Sequence, residues 1–164
     1  MRFGSLLGHL PLRPRVAGDA ARPGLRRNAE SRGRAAFAAW VKRSDDQRLE
    51  RTVGSNRGLR VLFGVLQASL APERAADFTG ELCCELRTAA GDVRPWTLLI
   101  ASGRVEARPG VGVDPRLTVK LSVADFVRIA AGELDAGSAL MTGRMDLQGD
   151  FSLAMRLGEL LGRF

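Results

Sequence analysis

The chain has 164 residues, of which 45% are hydrophobic and 5% aromatic, and it contains no tyrosine. This length suits a single domain with an aliphatic core, and no apolar run is long enough to predict a membrane-spanning helix. The formal net charge of +7 arises in residues 1–60, which hold 14 basic and 5 acidic side chains, whereas residues 61–164 hold 11 and 13. The excess positive charge is therefore predicted to belong to the N-terminal part of the chain.

Residues 1–30 are rich in Arg, Pro and Gly and show no hydrophobic periodicity, so we expect a disordered basic arm there. The functional hypotheses for this arm are transient contact with an anionic membrane surface, binding of nucleic acid, and an organellar transit peptide. The alternatives are an over-long gene start and the Arg, Ala and Gly bias of a G+C-rich, bacterial genome. We favour the explanation that the basic residues reflect genome composition. Nucleic acid is not expected as a partner, because net charge alone indicates only non-specific association.

Residues 31–56 are predicted to form an accessory amphipathic helix, Ser31–Arg51, followed by a turn. Phe37, Trp40 and Val41 form a narrow apolar stripe on this helix. One hypothesis is a helix that lies on a membrane surface, and the other is a helix that packs on the domain. We favour packing, because the stripe is short.

Residues 57–164 are predicted to form one domain that opens with a helix over residues 57–71. Five apolar side chains recur there at helical spacing: Leu59, Leu62, Phe63, Leu66 and Leu70. Five strands are expected next, because apolar and polar residues alternate over residues 78–87, 94–101, 104–108, 117–121 and 144–148. Ser102-Gly103 is typical of a tight hairpin between the second and third strands.

Three further helices are predicted from their capping residues. Ser122 is expected to cap a helix over residues 122–131, with Asp125 in the capping-box position. Asp135 is expected to cap a short helix over residues 136–142. Asp150 is expected to cap a last amphipathic helix over 151–162. Because each strand has one apolar face, the sequence predicts an α+β domain of two layers, a sheet covered by helices on one side only.

No catalytic constellation is predicted. The only histidine, His9, lies in the basic arm, and neither a Gly-rich phosphate loop nor a Gly-x-Ser-x-Gly motif is present. Cys83 and Cys84 are neighbours in a strand, so their side chains point to opposite faces and are poorly placed to bridge each other. We therefore expect no enzymatic activity, no metal site and no cofactor. The absence of a secretory signal pattern favours the reducing cytoplasm.

Several short motifs follow one another in the second half of the chain: Trp96–Ile100 followed by Gly103, then Thr118–Phe126, Gly132–Asp135, Ala139–Gly143 and Leu147–Asp150. In this order, over roughly Leu59 to the end, the sequence resembles the sterol carrier protein two family of small intracellular lipid-binding domains. No single motif is diagnostic, and the ordered series carries the resemblance.

The resemblance implies a five-stranded mixed sheet with helices on one face and an apolar tunnel between the layers. The tunnel would hold a sterol, a fatty acid, an acyl-CoA or an isoprenoid, although residues 61–164 show no evident basic cluster for a CoA phosphate. In the family the last helix lies near the tunnel mouth, which would place residues 151–164 there. The lining implied for this chain is Leu82, Cys84, Trp96, Leu98, Ile100, Val119, Phe126, Ile129, Leu140, Met141, Met145, Leu147, Phe151, Met155 and Leu160.

Ordinary core packing remains the alternative for each of these residues, because apolar periodicity reports burial and not ligand contact. Three functions stay open. The first is non-catalytic binding or transfer of a hydrophobic molecule, which we favour. The second is an accessory subunit that presents a lipid to a partner enzyme, and the third is an adaptor that acts through residues 1–60.

Overall fold

A computed structural model describes residues 23–69 and 79–154. Helices α1 (Pro23–Lys42), α2 (Asp46–Val53) and α3 (Asn56–Ser69) come first. Strands β1 (Gly80–Arg87), β2 (Val93–Ala101), β3 (Arg104–Pro109) and β4 (Pro115–Ser122) follow. Helices α4 (Val123–Ala130) and α5 (Ala136–Met141) then precede β5 (Met145–Gly149), and residues 151–154 begin another helix. The predicted α+β class is confirmed.

The five strands form one mixed sheet in the order β3-β2-β1-β4-β5. Strand β1 pairs antiparallel with β2 and parallel with β4, while β2–β3 and β4–β5 are antiparallel pairs. Ser102 and Gly103 join β2 to β3 with φ values of 51° and 72°, the positive pair that a two-residue hairpin turn requires. The mixed sheet and the tight hairpin agree with the sequence-based predictions.

A crossing loop, residues 110–114, carries the chain from the β3 edge of the sheet to β4. It runs over the outer face of the sheet, the face turned away from the helices. There the Thr97 hydroxyl donates to the Gly110 carbonyl at 2.8 Å, and the Asp114 amide donates to the Glu81 carboxylate at 3.0 Å. A Cβ atom on Gly112 would lie 2.1 Å from that carboxylate, so a larger residue there would displace the Glu81 side chain. The helices lie on one face of the sheet, as predicted, and on the other face the loop itself buries Cys83 and Thr97.

The predicted caps are present. The Ser122 hydroxyl accepts from the Asp125 amide at 3.0 Å and begins α4, and the Asp135 carboxylate accepts from the Ser138 amide at 2.8 Å and begins α5. The Asp150 carboxylate accepts from the Ser152 amide at 3.0 Å where the helical residues 151–154 start. Each cap satisfies an amide that has no partner within its own helix.

The N-terminal helices differ from the sequence-based prediction. A single helix was expected over Ser31–Arg51, but the structure has α1 and α2, and α1 begins at Pro23, inside the range expected to be disordered. Asp45 divides them, because its carboxylate caps α2 by accepting from the Arg48 amide at 2.7 Å. Phe37 and Trp40 of α1 pack against the core, which supports the packing hypothesis for this segment. The remainder of the predicted basic arm, residues 1–22, lies outside the described residues.

An ion-pair network ties α2 to the rest of the domain. Asp125 of α4 is buried, and its carboxylate accepts from Arg144, which precedes β5, and lies 3.9 Å from Arg128. Arg128 also donates to Asp46, the first residue of α2. The side chain of Asp125, which the sequence assigned to capping, therefore links three parts of the chain.

Substituting Asp125→Ala should lower the free energy of unfolding by about 1–3 kcal/mol, because it leaves two arginines without their shared carboxylate. The estimate is below that for a fully buried pair, since the Arg144 side chain is 44% exposed. Urea unfolding followed by circular dichroism measures the change. Glu133→Ala removes an exposed carboxylate and serves as the control. A loss no larger than that of the control would contradict a stabilising role for the network.

Candidate functional site

The inner face of the sheet is a continuous apolar surface. Strands β1, β2 and β4 direct alternate side chains toward the helices, and the six strand residues of the predicted lining from these strands are all buried: Leu82, Cys84, Trp96, Leu98, Ile100 and Val119. Leu86, Leu117 and Leu121 extend the same surface. This face arises because successive side chains of a strand point to opposite sides of the sheet, so every second residue lies on the same side.

An aromatic stack lies between the sheet and the helices. The Phe63 ring of α3 stacks on the Trp96 ring of β2 at a centroid distance of 4.5 Å and on the Phe126 ring of α4 at 5.1 Å. Phe63 was absent from the predicted lining, although its helical spacing had placed it on the apolar stripe of α3. It joins the two layers at the centre of the domain.

The apolar surface becomes half open toward β5. Phe126 and Ile129 of α4 and Met145 and Leu147 of β5 are partly buried and pack against the core. Leu140 of α5 is also partly buried, and α5 lies against β5. The structure thus packs the four predicted residues of α4 and β5 against the core.

Two other residues of the predicted lining stand apart from the interior. Met141 is 86% exposed and Phe151 is 56% exposed, so neither side chain shares the buried interior. Their exposure follows from their positions, at the end of a short helix and at the first turn after Asp150. Met155 and Leu160 lie outside the described residues.

The two cysteines are poor nucleophiles in this structure. Burial raises the pKa of Cys84 to about 12, and the neighbouring Cys83 thiol adds to the effect. Burial also raises the pKa of Cys83, beneath the crossing loop. Nor does any group of three His, Cys, Asp or Glu side chains within residues 23–69 and 79–154 form a metal site.

Both cysteines should therefore resist iodoacetamide at pH 8 in the native protein. A pKa of about 12 leaves roughly one thiol in ten thousand as the reactive thiolate at that pH, and burial blocks access as well. Mass spectrometry after timed alkylation measures the reaction, and urea-unfolded protein is the control in which both thiols react. Alkylation of native Cys83 at the unfolded rate would show that the crossing loop does not protect it.

The described residues thus form an α+β domain of two layers, in which the sheet turns an apolar face toward the helices and is only partly buried near β5. The sequence model of the SCP-2 sterol transfer family matches residues 62–162. The chain therefore belongs to the SCP-2 sterol transfer family. The match starts within α3, so α1 and α2 lie outside it.

Two relatives are similar in sequence over part of their length. The chain is 34% identical over 71 residues to Peroxisomal multifunctional enzyme A of Dictyostelium discoideum. The aligned segment covers 43% of this chain and 16% of that protein. The chain is also 34% identical over 77 residues to Non-specific lipid-transfer protein-like 1 of Caenorhabditis elegans. The aligned segment covers 44% of this chain and 62% of that protein. In both cases the chain spans less than two thirds of the relative.

A solved structure supports the same assignment. The solution structure of palmitated SCP2L2 from Aedes aegypti superposes with a TM-score of 0.51 at 26% identity, over 63% of this chain and 93% of that one. Among the helices of the described residues, none is long and apolar enough to cross a membrane.

Proposed function

We propose that this chain binds and transfers a hydrophobic molecule without catalysing a reaction. The observation that carries the proposal is the apolar inner face of the sheet, which is buried at β1 and β2 and half open where α4, α5 and β5 meet. A ligand would enter between the two layers on this side, into the apolar tunnel that the family resemblance implies. Met141 and Phe151 would then lie at the rim, where their exposed side chains can contact the incoming molecule.

A single acyl chain is the ligand class that we favour. The palmitated relative from Aedes aegypti supports an acyl chain, and a sterol, an acyl-CoA or an isoprenoid is the alternative. Each CH₂ removed from water contributes about 0.8 kcal/mol, so a dozen give roughly 10 kcal/mol before the costs of association. Chain-length specificity should be loose, because one methylene changes the free energy of binding little and Met145 can repack around ligands of different shape.

Native mass spectrometry of the protein purified from cells tests the proposal. We expect a population heavier than the chain by the mass of one lipid, which organic extraction removes. The extracted protein should then take up a fluorescent acyl probe in a saturable manner, and unlabelled palmitate should displace it. Only the mass of the bare chain, together with no saturable probe uptake, would overturn the proposal.

A second candidate is an accessory role in which the domain presents a lipid to a partner enzyme. The match to 16% of a multifunctional enzyme favours it, since a domain of this family there is part of a larger enzyme. Transfer of the acyl probe between vesicles by the isolated chain would support independent transport. A probe that binds but transfers only when a co-purified enzyme is added would support the accessory role.

A further inference from the structure

A cleft of about 300 Å³ with both polar and apolar walls lies where the start of α3 meets the start of β2 and the end of β3. Six residues define what we name the arginine cleft: Asn56, Arg60, Arg94, Trp96, Pro109 and Gly110. Its strands lie at the opposite edge of the sheet from the half-open apolar side near β5, and it shares Trp96 alone with the predicted lining.

The arginine cleft holds two positive charges that the protein does not neutralise. Within residues 23–69 and 79–154, neither Arg60 nor Arg94 forms an ion pair, and none of the residues lining the cleft is acidic. Nη1 of Arg94 donates to Oδ1 of Asn56 at 2.5 Å, while its Nε is buried without a hydrogen-bond partner. A partly buried cation without a carboxylate is costly, and a bound anion would offset that cost.

The first turn of α3 reinforces the positive potential. Asn56 and Arg60 are four residues apart on this 14-residue helix, so they lie on one face, and the N-terminal end of a helix carries a partial positive charge. The hydrogen bond to Asn56 fixes the Arg94 guanidinium beside that end. Because the Ser55 hydroxyl already accepts from the Gly58 amide at 3.0 Å, the two guanidinium groups are the donors that match a doubly charged oxyanion.

We propose that the arginine cleft binds the phosphate group of a phosphate ester. The volume of the cleft exceeds that of a phosphate ion alone, and the walls contributed by Trp96 and Pro109 would contact the substituent that the phosphate carries. Such a group occurs in soluble phosphate esters and in the head groups of phospholipids. Arginine suits either source, because its planar fork donates two parallel hydrogen bonds to phosphate oxygens.

Two probes distinguish the sources of the phosphate. Isothermal titration calorimetry with glycerol 3-phosphate measures binding of a soluble ester, and co-sedimentation with vesicles of phosphatidic acid in phosphatidylcholine measures binding of a head group, with pure phosphatidylcholine vesicles as the blank. Saturable binding of either probe is the expected result and identifies its source. No saturable binding of either one would overturn the proposal.

Matched variants locate the site. Arg60→Gln and Arg94→Gln should each raise the dissociation constant by about tenfold or more, because each removes charge-assisted hydrogen bonds. Arg104→Gln removes an equal charge from an exposed position at the start of β3 and should change the dissociation constant by less than about twofold. Arg60 is exposed, so its variant should fold even if Arg94→Gln does not. Equal weakening by all three variants would indicate non-specific attraction and refute the site.

Acyl-probe uptake measured on the same variants separates this proposal from the proposed function. The arginine variants should keep normal uptake, because Arg60 and Arg94 are not part of the proposed lining. Loss of phosphate binding with unchanged uptake would support a separate site. Loss of both activities in variants that remain folded by circular dichroism would contradict the separation.

Discussion

Replacing Phe63 with alanine should lower the free energy of unfolding by about 3–5 kcal/mol, the largest loss of stability expected for a single substitution here. Phe63 is fully buried, and its ring stacks on both Trp96 and Phe126. The substitution removes the apolar contacts of the ring and leaves a cavity that α3, the sheet and α4 cannot all close at once. Urea unfolding monitored by tryptophan fluorescence and circular dichroism measures the loss.

Val61→Ala is the matched control, because Val61 lies on the same helix with 63% of its surface exposed. Its effect should stay within about 0.5 kcal/mol, as for most surface substitutions. A loss for Phe63→Ala as small as that of the control would mean that the aromatic stack is not part of the stable core. Recovery of stability on adding a small apolar molecule would show instead that the cavity is formed and accessible.

Leu147→Arg should reduce uptake of a fluorescent acyl probe by at least about tenfold, because the charge would lie where the proposed ligand loses its water. Leu147 is partly buried on β5, opposite Val119 of β4, and packs against the core. The partial exposure gives the guanidinium a route to solvent, so the domain should still fold. Equilibrium titration of the probe measures the affinity, and circular dichroism reports the fold.

Gln148→Arg places the same charge one residue further along β5, on the opposite face of the sheet, where the side chain is exposed. Probe affinity should therefore be unchanged in this variant. Equal losses in Leu147→Arg and Gln148→Arg would show that charge at β5, and not the apolar inner face, governs uptake. Unchanged uptake in Leu147→Arg would exclude this side of the sheet as the entry point.

The strands and helix caps were predictable from the sequence, because their determinants are local. Leu117, Val119 and Leu121 alternate with polar residues, and that period alone predicts a strand with one buried face. Ser122 and Asp135 each cap a helix through an amide three residues away, so a short window of sequence contains the whole interaction.

Other features depend on contacts between distant residues. Burial of Cys83 requires the crossing loop, and Glu81 holds that loop through an amide 33 residues further along the chain. Alternation could only assign Cys83 to the polar face, since nothing near it in sequence indicates the loop that covers it. The division of the N-terminal helix at Asp45 was missed because the single helix predicted over Ser31–Arg51 ran through this residue.

The candidate site shows the same limit. The inward strand residues followed from periodicity, whereas the stack that joins Phe63 to Trp96 and Phe126 brings together three elements that are separate in sequence. The arginine cleft was overlooked because Arg60 and Arg94 are 34 positions apart and come together only where the start of α3 meets the start of β2. Neither arginine belongs to an uninterrupted run of basic residues that composition would identify.

The path of the crossing loop has a consequence for synthesis on the ribosome. Strand β1 is central, but its parallel neighbour β4 is completed only at Ser122, 35 residues after β1 ends at Arg87. A nascent chain that has emerged only as far as β3 can form the meander β1–β2–β3, yet one edge of β1 stays unpaired and able to join another chain. Aggregation on the ribosome would therefore be greatest in the interval after β3 has emerged and before β4 has emerged.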